Sequence, residues 1–209
     1  MATSYTSGLN DINDIPKAWK HALAAVQVSF PDAVIAGGCL RDREHGVKVK
    51  DIDIFISTSA SPELYGTLGT IKSRLERDGW ADVQICGDES YNADATKRGV
   101  VAVLDMTYPG APPVQLIALK HFTLEEFDFG ICQIMFDGKR IVRTRDYHLD
   151  MAKQKFRVVP KVDDDAFVRI INRWARLKEK YPTWSFDLGS RSETAPQQVT
   201  RSLFASSAV

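Results

Sequence analysis

The sequence predicts an α/β (α+β) fold with about five strands in one sheet, helices packed beside them and a further helix at the C-terminal end. Short apolar runs bounded by glycine and proline alternate with longer segments whose apolar residues recur every three or four positions. At 209 residues and 44% hydrophobic content, the chain can bury one good core with a small appendage. The most regular helical pattern comes last: Phe167, Ile170, Ile171, Trp174 and Leu177 line one side of the segment Asp164 to Tyr181.

The elements follow in order. Asp14 to Val28 reads as a helix, with Asp14 as its cap, Pro16 in the first turn and Trp19, Leu23, Ala24 and Val26 on the apolar side. Ala33 to Ala36 is a short strand that stops at Gly37-Gly38, and Cys39 to His45 is a helical turn ended by Gly46. Lys50 to Ser57 is a strand. Ser61 opens a helix through Asp78 that Gly79 stops, with Ile71 and Leu75 on its buried side. Ala81 to Cys86 and Val100 to Tyr108 are strands separated by a polar loop, Gly87 to Gly99. Pro109 to Pro112 turns into a strand over Val114 to Leu119. Leu124 to Met135 is expected to be helical, although its β-branched and aromatic residues also suit a strand. Gly138 precedes a short strand, Arg140 to Val142. Residues 1–160 are therefore expected to form the main domain and 161–186 a C-terminal helical extension. Residues 187–209, rich in Ser, Thr and Gln, are expected to form a flexible tail.

Charge and cysteine usage narrow the function. With 27 basic and 27 acidic side chains, the chain does not read as a protein that coats nucleic acid non-specifically, though a local basic patch is compatible. Cys39, Cys86 and Cys132 are far apart and form no CxxC pair. A zinc site or disulfide framework is not expected, and a reducing cytoplasm suits the chain. No stretch approaches the roughly 20 apolar residues of a membrane span, and residues 1–8 carry no signal-like pattern. A cytoplasmic protein without membrane partners is expected.

One segment carries most of the chemistry. Residues 34–57 hold Gly37-Gly38 after an apolar run, then Arg41-Asp42, then Asp51 and Asp53 in a second apolar run. Alternation along a strand puts Asp51 and Asp53 on one face and Ile52 and Ile54 on the other. Two carboxylates side by side repel, and a divalent cation relieves that repulsion. Hard oxygen ligands select Mg2+ or Mn2+ over Zn2+. The flanking Ile52, Ile54, Phe55 and Ile56 argue for a central strand rather than a solvated edge. Gly37-Gly38 suits a tight turn or, directly after a strand and 13 residues before the aspartates, a backbone cradle for phosphate. Arg41 can pair with Asp42 or Asp51, or reach a phosphate; Asp42 suits an orienting hydrogen-bond acceptor. His45, His121 and His148 have no partner ligand at useful spacing.

Gly-Gly-x-Leu-Arg-Asp followed by Asp-Ile-Asp resembles the nucleotidyltransferase superfamily that includes DNA polymerase β, and within it the head of class II tRNA CCA-adding enzymes and poly(A) polymerases. Residues 125–133, Asp150-Met151 with Phe156-Arg157-Val158, and Arg173-Trp174-Ala175-Arg176 extend the likeness over about residues 33–178. The resemblance implies a mixed sheet with helices behind it. It also implies transfer of a nucleoside monophosphate from a nucleoside triphosphate to an acceptor hydroxyl, an RNA or tRNA 3′ end above all, with release of pyrophosphate. In that scheme Asp51 and Asp53 are catalytic and hold Mg2+ or Mn2+, while Gly37, Gly38, Arg41, Asp128, Arg173 and Arg176 contact the nucleotide.

The sequence also departs from that pattern. Gln115 stands where the superfamily places a third carboxylate, with Asp105 on the neighbouring strand as a candidate metal ligand or a solvated or capping residue. Glu125 and Glu126 replace a pair of arginines, Phe127 and Phe129 read as core, and the long helical domains that hold tRNA have no counterpart after the last helix. Two other readings follow: a nucleotide-binding or regulatory module of the same fold that has lost catalysis, and a small antitoxin-like partner acting by contact alone.

Overall fold

Alternating apolar side chains build a sheet with one face buried under helices. The computed structural model describes residues 14–87, 99–159 and 164–188. In chain order these form α1 (Lys17–Gln27), β1 (Val34–Ala36), α2 (Gly38–Glu44), β2 (Ile52–Ser57), α3 (Pro62–Arg77), β3 (Ala81–Gly87), β4 (Val100–Thr107) and β5 (Val114–Leu119). Two 3-10 turns follow (Leu124–Glu126 and Gly130–Cys132), then β6 (Ile134–Phe136), β7 (Ile141–Arg143), α4 (Arg145–Lys153), β8 (Lys155–Arg157), α5 (Asp164–Lys180) and β9 (Ser185–Asp187). The sheet has seven strands in the order β3-β4-β5-β2-β1-β6-β7. Only the β2–β5 pairing within it is parallel, so the sheet is mixed. About five strands were expected in the sheet; β7 is the expected short strand Arg140 to Val142, and β6 joins it to β1.

β2 is the central strand. Ile52, Ile54 and Ile56 point to the face covered by α1 and α3, where they share a buried cluster with Trp19, Leu23, Leu68 and Ile71. Phe55 points the other way and packs with Val34, Ala36 and Leu124. Ser61 caps α3 by accepting the Leu64 amide at 3.3 Å, and Gly79 follows its end at φ +89. α1 starts at Lys17, after Pro16 rather than Asp14. Its buried side is Trp19, Ala22, Leu23, Ala25 and Val26, with Ala24 exposed.

Leu124 to Met135 is not a helix. Its two short turns lead into β6 because tertiary partners take its backbone groups. Asp150 Oδ2 accepts the Ile131 amide at 2.9 Å, and the Ile134 carbonyl accepts the Gly37 amide at 2.9 Å. A Cβ on Gly130 would lie 2.7 Å from both the Asp146 carbonyl and Asp150 Oδ2, so α4 docks here only against glycine. Asp150, buried at 1% exposure, also receives the Arg157 guanidinium at 3.2 Å.

The C-terminal segment is built into the same core. Phe167, Ile170, Ile171, Trp174 and Leu177 are all buried, as their periodicity predicts. Trp174, Tyr181 and Trp184 surround the Phe156 ring at 5.2–5.4 Å between centroids. β9 pairs with β8 in parallel, with Arg157 opposite Asp187. Residues 88–98 of the polar loop and residues 189–209 of the expected tail lie outside the described residues.

A buried ion cluster locks α5 to α2. The Asp42 carboxylate accepts Arg41 Nη2 at 2.5 Å, the Tyr181 hydroxyl at 2.8 Å and Lys180 Nζ at 2.6 Å. Both Arg41 and Asp42 are 3% exposed. Removing one partner of such a pair strands the other charge in the interior. Asp42→Ala is expected to cost about 3–5 kcal/mol, whereas Lys180→Met, at a half-buried cation, is expected to cost about 1 kcal/mol. Urea denaturation midpoints of the two variants check the difference.

Candidate active site

The two aspartates stand at the start of the central strand. Asp51 lies one residue before β2, where the Ile52 amide binds the Pro113 carbonyl at 2.9 Å, and Asp53 is the second residue of β2. Strand register builds a polar row beside them. Asp53 pairs with Gln115 on β5, Gln115 with Asp105 on β4, and Asp105 with Gln84 on β3, so all four share one face. Gln115 Nε2 donates to Asp105 Oδ1 at 2.7 Å. Lys50, Asp51, Gln84, Asp105, Thr107 and Gln115 line an open groove of about 500 Å3 along this row.

Electrostatics single out Asp53. Burial pushes its carboxyl up to about 6, and the neighbouring Asp51 charge pushes in the same direction, while Arg173 and Lys50 pull it down. Lys50 Nζ lies 3.5 Å from Asp51 Oδ2. The α5 residue Arg173 thus acts on Asp53 through its charge, and its Nη1 binds Asp128 Oδ2 at 2.8 Å. Arg176, one turn later, is exposed. The site gathers Asp51 and Asp53, Asp128, and Arg173 from three separate parts of the chain.

The glycine pair lies on the other side of Asp53, at the end of β1. Gly37 has φ +83, and a Cβ there would stand 2.6 Å from Phe127 Cε1. Its amide is bonded to the Ile134 carbonyl at 2.9 Å. Gly38 begins α2, where the first amides of a helix point outward without intrahelical acceptors. Arg41 is interior. Its guanidinium binds Asp42, contacts Cys132 Sγ at 2.9 Å and lies 5.4 Å from the Tyr181 ring centroid. Of the tasks its charge permits, the ion pair with Asp42 is the one formed.

Asp51 and Asp53 are hard oxygen donors in a site with surplus negative charge, a set that fits Mg2+ or Mn2+. Among the described residues, no three His, Cys, Asp or Glu side chains converge on one ion. Asp105, a candidate metal ligand by sequence, accepts Gln115 Nε2 on its Oδ1. A cation here would rest on two carboxylates together with oxygens from a substrate, the usual arrangement for Mg2+ on a polyphosphate. Sequence reasoning passed over Lys50, whose signal is a cation directly before the aspartates, and the Gln115–Asp105 bond, which needs the strand register.

The raised Asp53 carboxyl carries a stability consequence. A group held above its ordinary value of 3.8 stabilises the fold fully below that pH, and the contribution is lost as pH rises through about 6. Without divalent cation, Asp53→Asn is therefore expected to gain on the wild type across this window. At pH 7.5 it should be more stable by about 1–2 kcal/mol, given a half-buried carboxyl. Urea denaturation in EDTA at pH 4 and pH 7.5 checks this.

Solved structures share the fold. A CCA-adding enzyme in complex with ATP superposes with a TM-score of 0.61 at 12% identity, covering 93% of this chain and 45% of that one. The Thermotoga maritima CCA-adding enzyme complexed with tRNA gives 0.59 at 13% identity, covering 93% and 44%. A tRNA nucleotidyltransferase with a primer tRNA and an incoming ATP analog gives 0.53 at 15% identity, covering 87% and 50%. The chain thus spans about half the length of these structures or less, and at such identities they establish a nucleotidyltransferase fold. No helix among the described residues is long and apolar enough to cross a membrane. No curated protein sequence matches. A family model described as "Gabija anti-defense 2 family protein" matches residues 5–155, the stretch that carries the glycines, both aspartates, Asp105, Gln115 and Asp128, and the chain belongs to that family.

Proposed function

We propose that this chain is a metal-dependent nucleotidyltransferase, moving a nucleoside monophosphate from a nucleoside triphosphate to an acceptor hydroxyl and releasing pyrophosphate. The observation that carries the reading is the Asp51–Asp53 pair at the start of the central strand, with Asp53 raised to about 6 and the Arg173 charge acting on it. Two repelling carboxylates at a half-buried position are the arrangement that a cationic ligand relieves, and such perturbed pairs cluster at functional sites. Asp51 and Asp53 would hold Mg2+ or Mn2+, which when bound supplies charge neutralisation for the triphosphate and the departing pyrophosphate. Arg173, oriented by Asp128, would bind a phosphate oxygen, with the α2 amides from Gly38 onward beside it. Arg176, exposed on the same helix, suits a phosphate of the nucleotide or of an RNA acceptor.

The acceptor follows from setting as much as from the pocket. The fold neighbours include structures with tRNA, which supports an RNA or tRNA 3′ end. The family description directs the search to components of a Gabija system as well. A second reading is favoured by one observation, Gln115 at the position of the third carboxylate. Under it the chain is a nucleotide-binding or regulatory module without catalysis.

Asp51→Ala and Asp53→Ala are each expected to lower transfer of label from an α-labelled triphosphate by at least about 100-fold, with an unchanged circular dichroism spectrum. Transfer retained by both variants contradicts the enzyme reading. Calorimetry with triphosphate and Mg2+, run beside a pyrophosphate-release assay, separates the two readings, because binding without release selects the module.

A further inference from the structure

The Gln115–Asp105 hydrogen bond fixes an atom that the sequence leaves free to point either way. Gln115 stands between Asp105 on β4 and Asp53 on β2, in register with both and on the same face. Its neighbours Val114 and Leu116 are fully buried on the opposite face, so the backbone holds the side chain over this row. An amide has a donor end and an acceptor end, and a carboxylate offers only acceptors. The 2.7 Å contact from Nε2 to Asp105 Oδ1 therefore sets the amide, because the flipped form would bring two acceptor oxygens together. Oε1 is then the remaining acceptor of the amide, on a side chain whose register partners are Asp105 on one strand and Asp53 on the other.

We propose that Asp105 is a positioning residue that orients Gln115, and that Gln115 Oε1 supplies an uncharged third oxygen beside Asp51 and Asp53 for a divalent cation. The inference rests on the nucleotidyltransferase reading above. It assigns Asp105 to the orientation of a ligand rather than to the ion itself. Carbonyl oxygens of Asn and Gln are ordinary ligands of hard cations, and a neutral one adds a donor without adding charge. That matters at this site, where Asp51 and burial already push Asp53 up and a third carboxylate beside them would add further repulsion. Lys50, Arg173 and Asp128 are the other charged groups around the pair, and none of them offers a spare oxygen on the β5 side.

Manganese binding to the full chain, measured by electron paramagnetic resonance with α,β-methylene-ATP present, tests this without reference to turnover. Asp105→Leu and Gln115→Leu should each weaken Mn2+ binding by about 10- to 100-fold, the usual effect of losing a ligand's orienting partner. The double variant should lose no more than either single one, since both remove the same oxygen. Asp105→Asn should bind within about threefold of wild type, because an Asn oxygen can still accept Gln115 Nε2. A purely structural cross-strand pair instead lowers stability and leaves Mn2+ affinity unmoved. Unchanged affinity in Asp105→Leu, or losses that add in the double variant, overturns the proposal while the nucleotidyltransferase reading stands. No Mn2+ binding by the wild-type chain removes both. Should the leucine variants fail to fold, Asp105→Ala and Gln115→Ser carry the same comparison.

Discussion

The Asp42 carboxylate is the contact on which the geometry of the site depends. It joins Arg41 beside it to Lys180 and Tyr181 at the far end of α5, across 138 residues of sequence for the lysine. Because the cluster is buried, each charge needs the others, and the helix cannot shift along the head without stranding one of them. Arg173 sits two turns up the same helix and its charge lowers Asp53. The aromatic cluster of Phe156, Trp174, Tyr181 and Trp184 adds packing area to this anchor. An interior ion cluster thus sets the position of a cation in the candidate active site.

That arrangement explains why the site is charged in two layers. Arg173 and Lys50 hold down part of the repulsion between Asp51 and Asp53, yet burial and proximity leave Asp53 raised. The unrelieved part is the driving force for cation binding in the proposed reaction. On the β1 flank stand Phe127, packed over Gly37, and the start of α2. The β5 flank holds the uncharged Gln115 and the open groove. The strand order β5-β2-β1 separates the two flanks, and an in-line displacement needs its incoming and leaving groups on opposite sides of phosphorus.

Local chemistry was legible in the sequence, and distant pairing was not. Alternation in Ile52 to Ile56 announced a central strand, and the spacing of Phe167 to Leu177 announced the buried side of α5, because both patterns are complete within one segment. α4 gave no such signal. Only Tyr147 and Asp150 of its nine residues are buried, so it has no apolar stripe, and its cap by Thr144 on the Tyr147 amide was its one local mark. Leu124 to Met135 misled because its apolar content suits a helix, while Asp150 and Gly37, both far off in sequence, take its backbone groups. The settings of Arg41 and Gly37 stayed hidden for the same reason. Their partners, Tyr181, Cys132 and the Ile134 carbonyl, come together only on folding.

The central claim is that Asp53 is held raised for a cation to occupy its surroundings. Carbon-detected NMR titration of the Asp53 side-chain carboxyl, with and without Mg2+ and a non-hydrolysable triphosphate, tests it most directly. The account predicts a midpoint near pH 6 in the metal-free chain, falling below the ordinary carboxylate range when Mg2+ and the triphosphate are added. A midpoint near 3.8 that ignores both additions would contradict it.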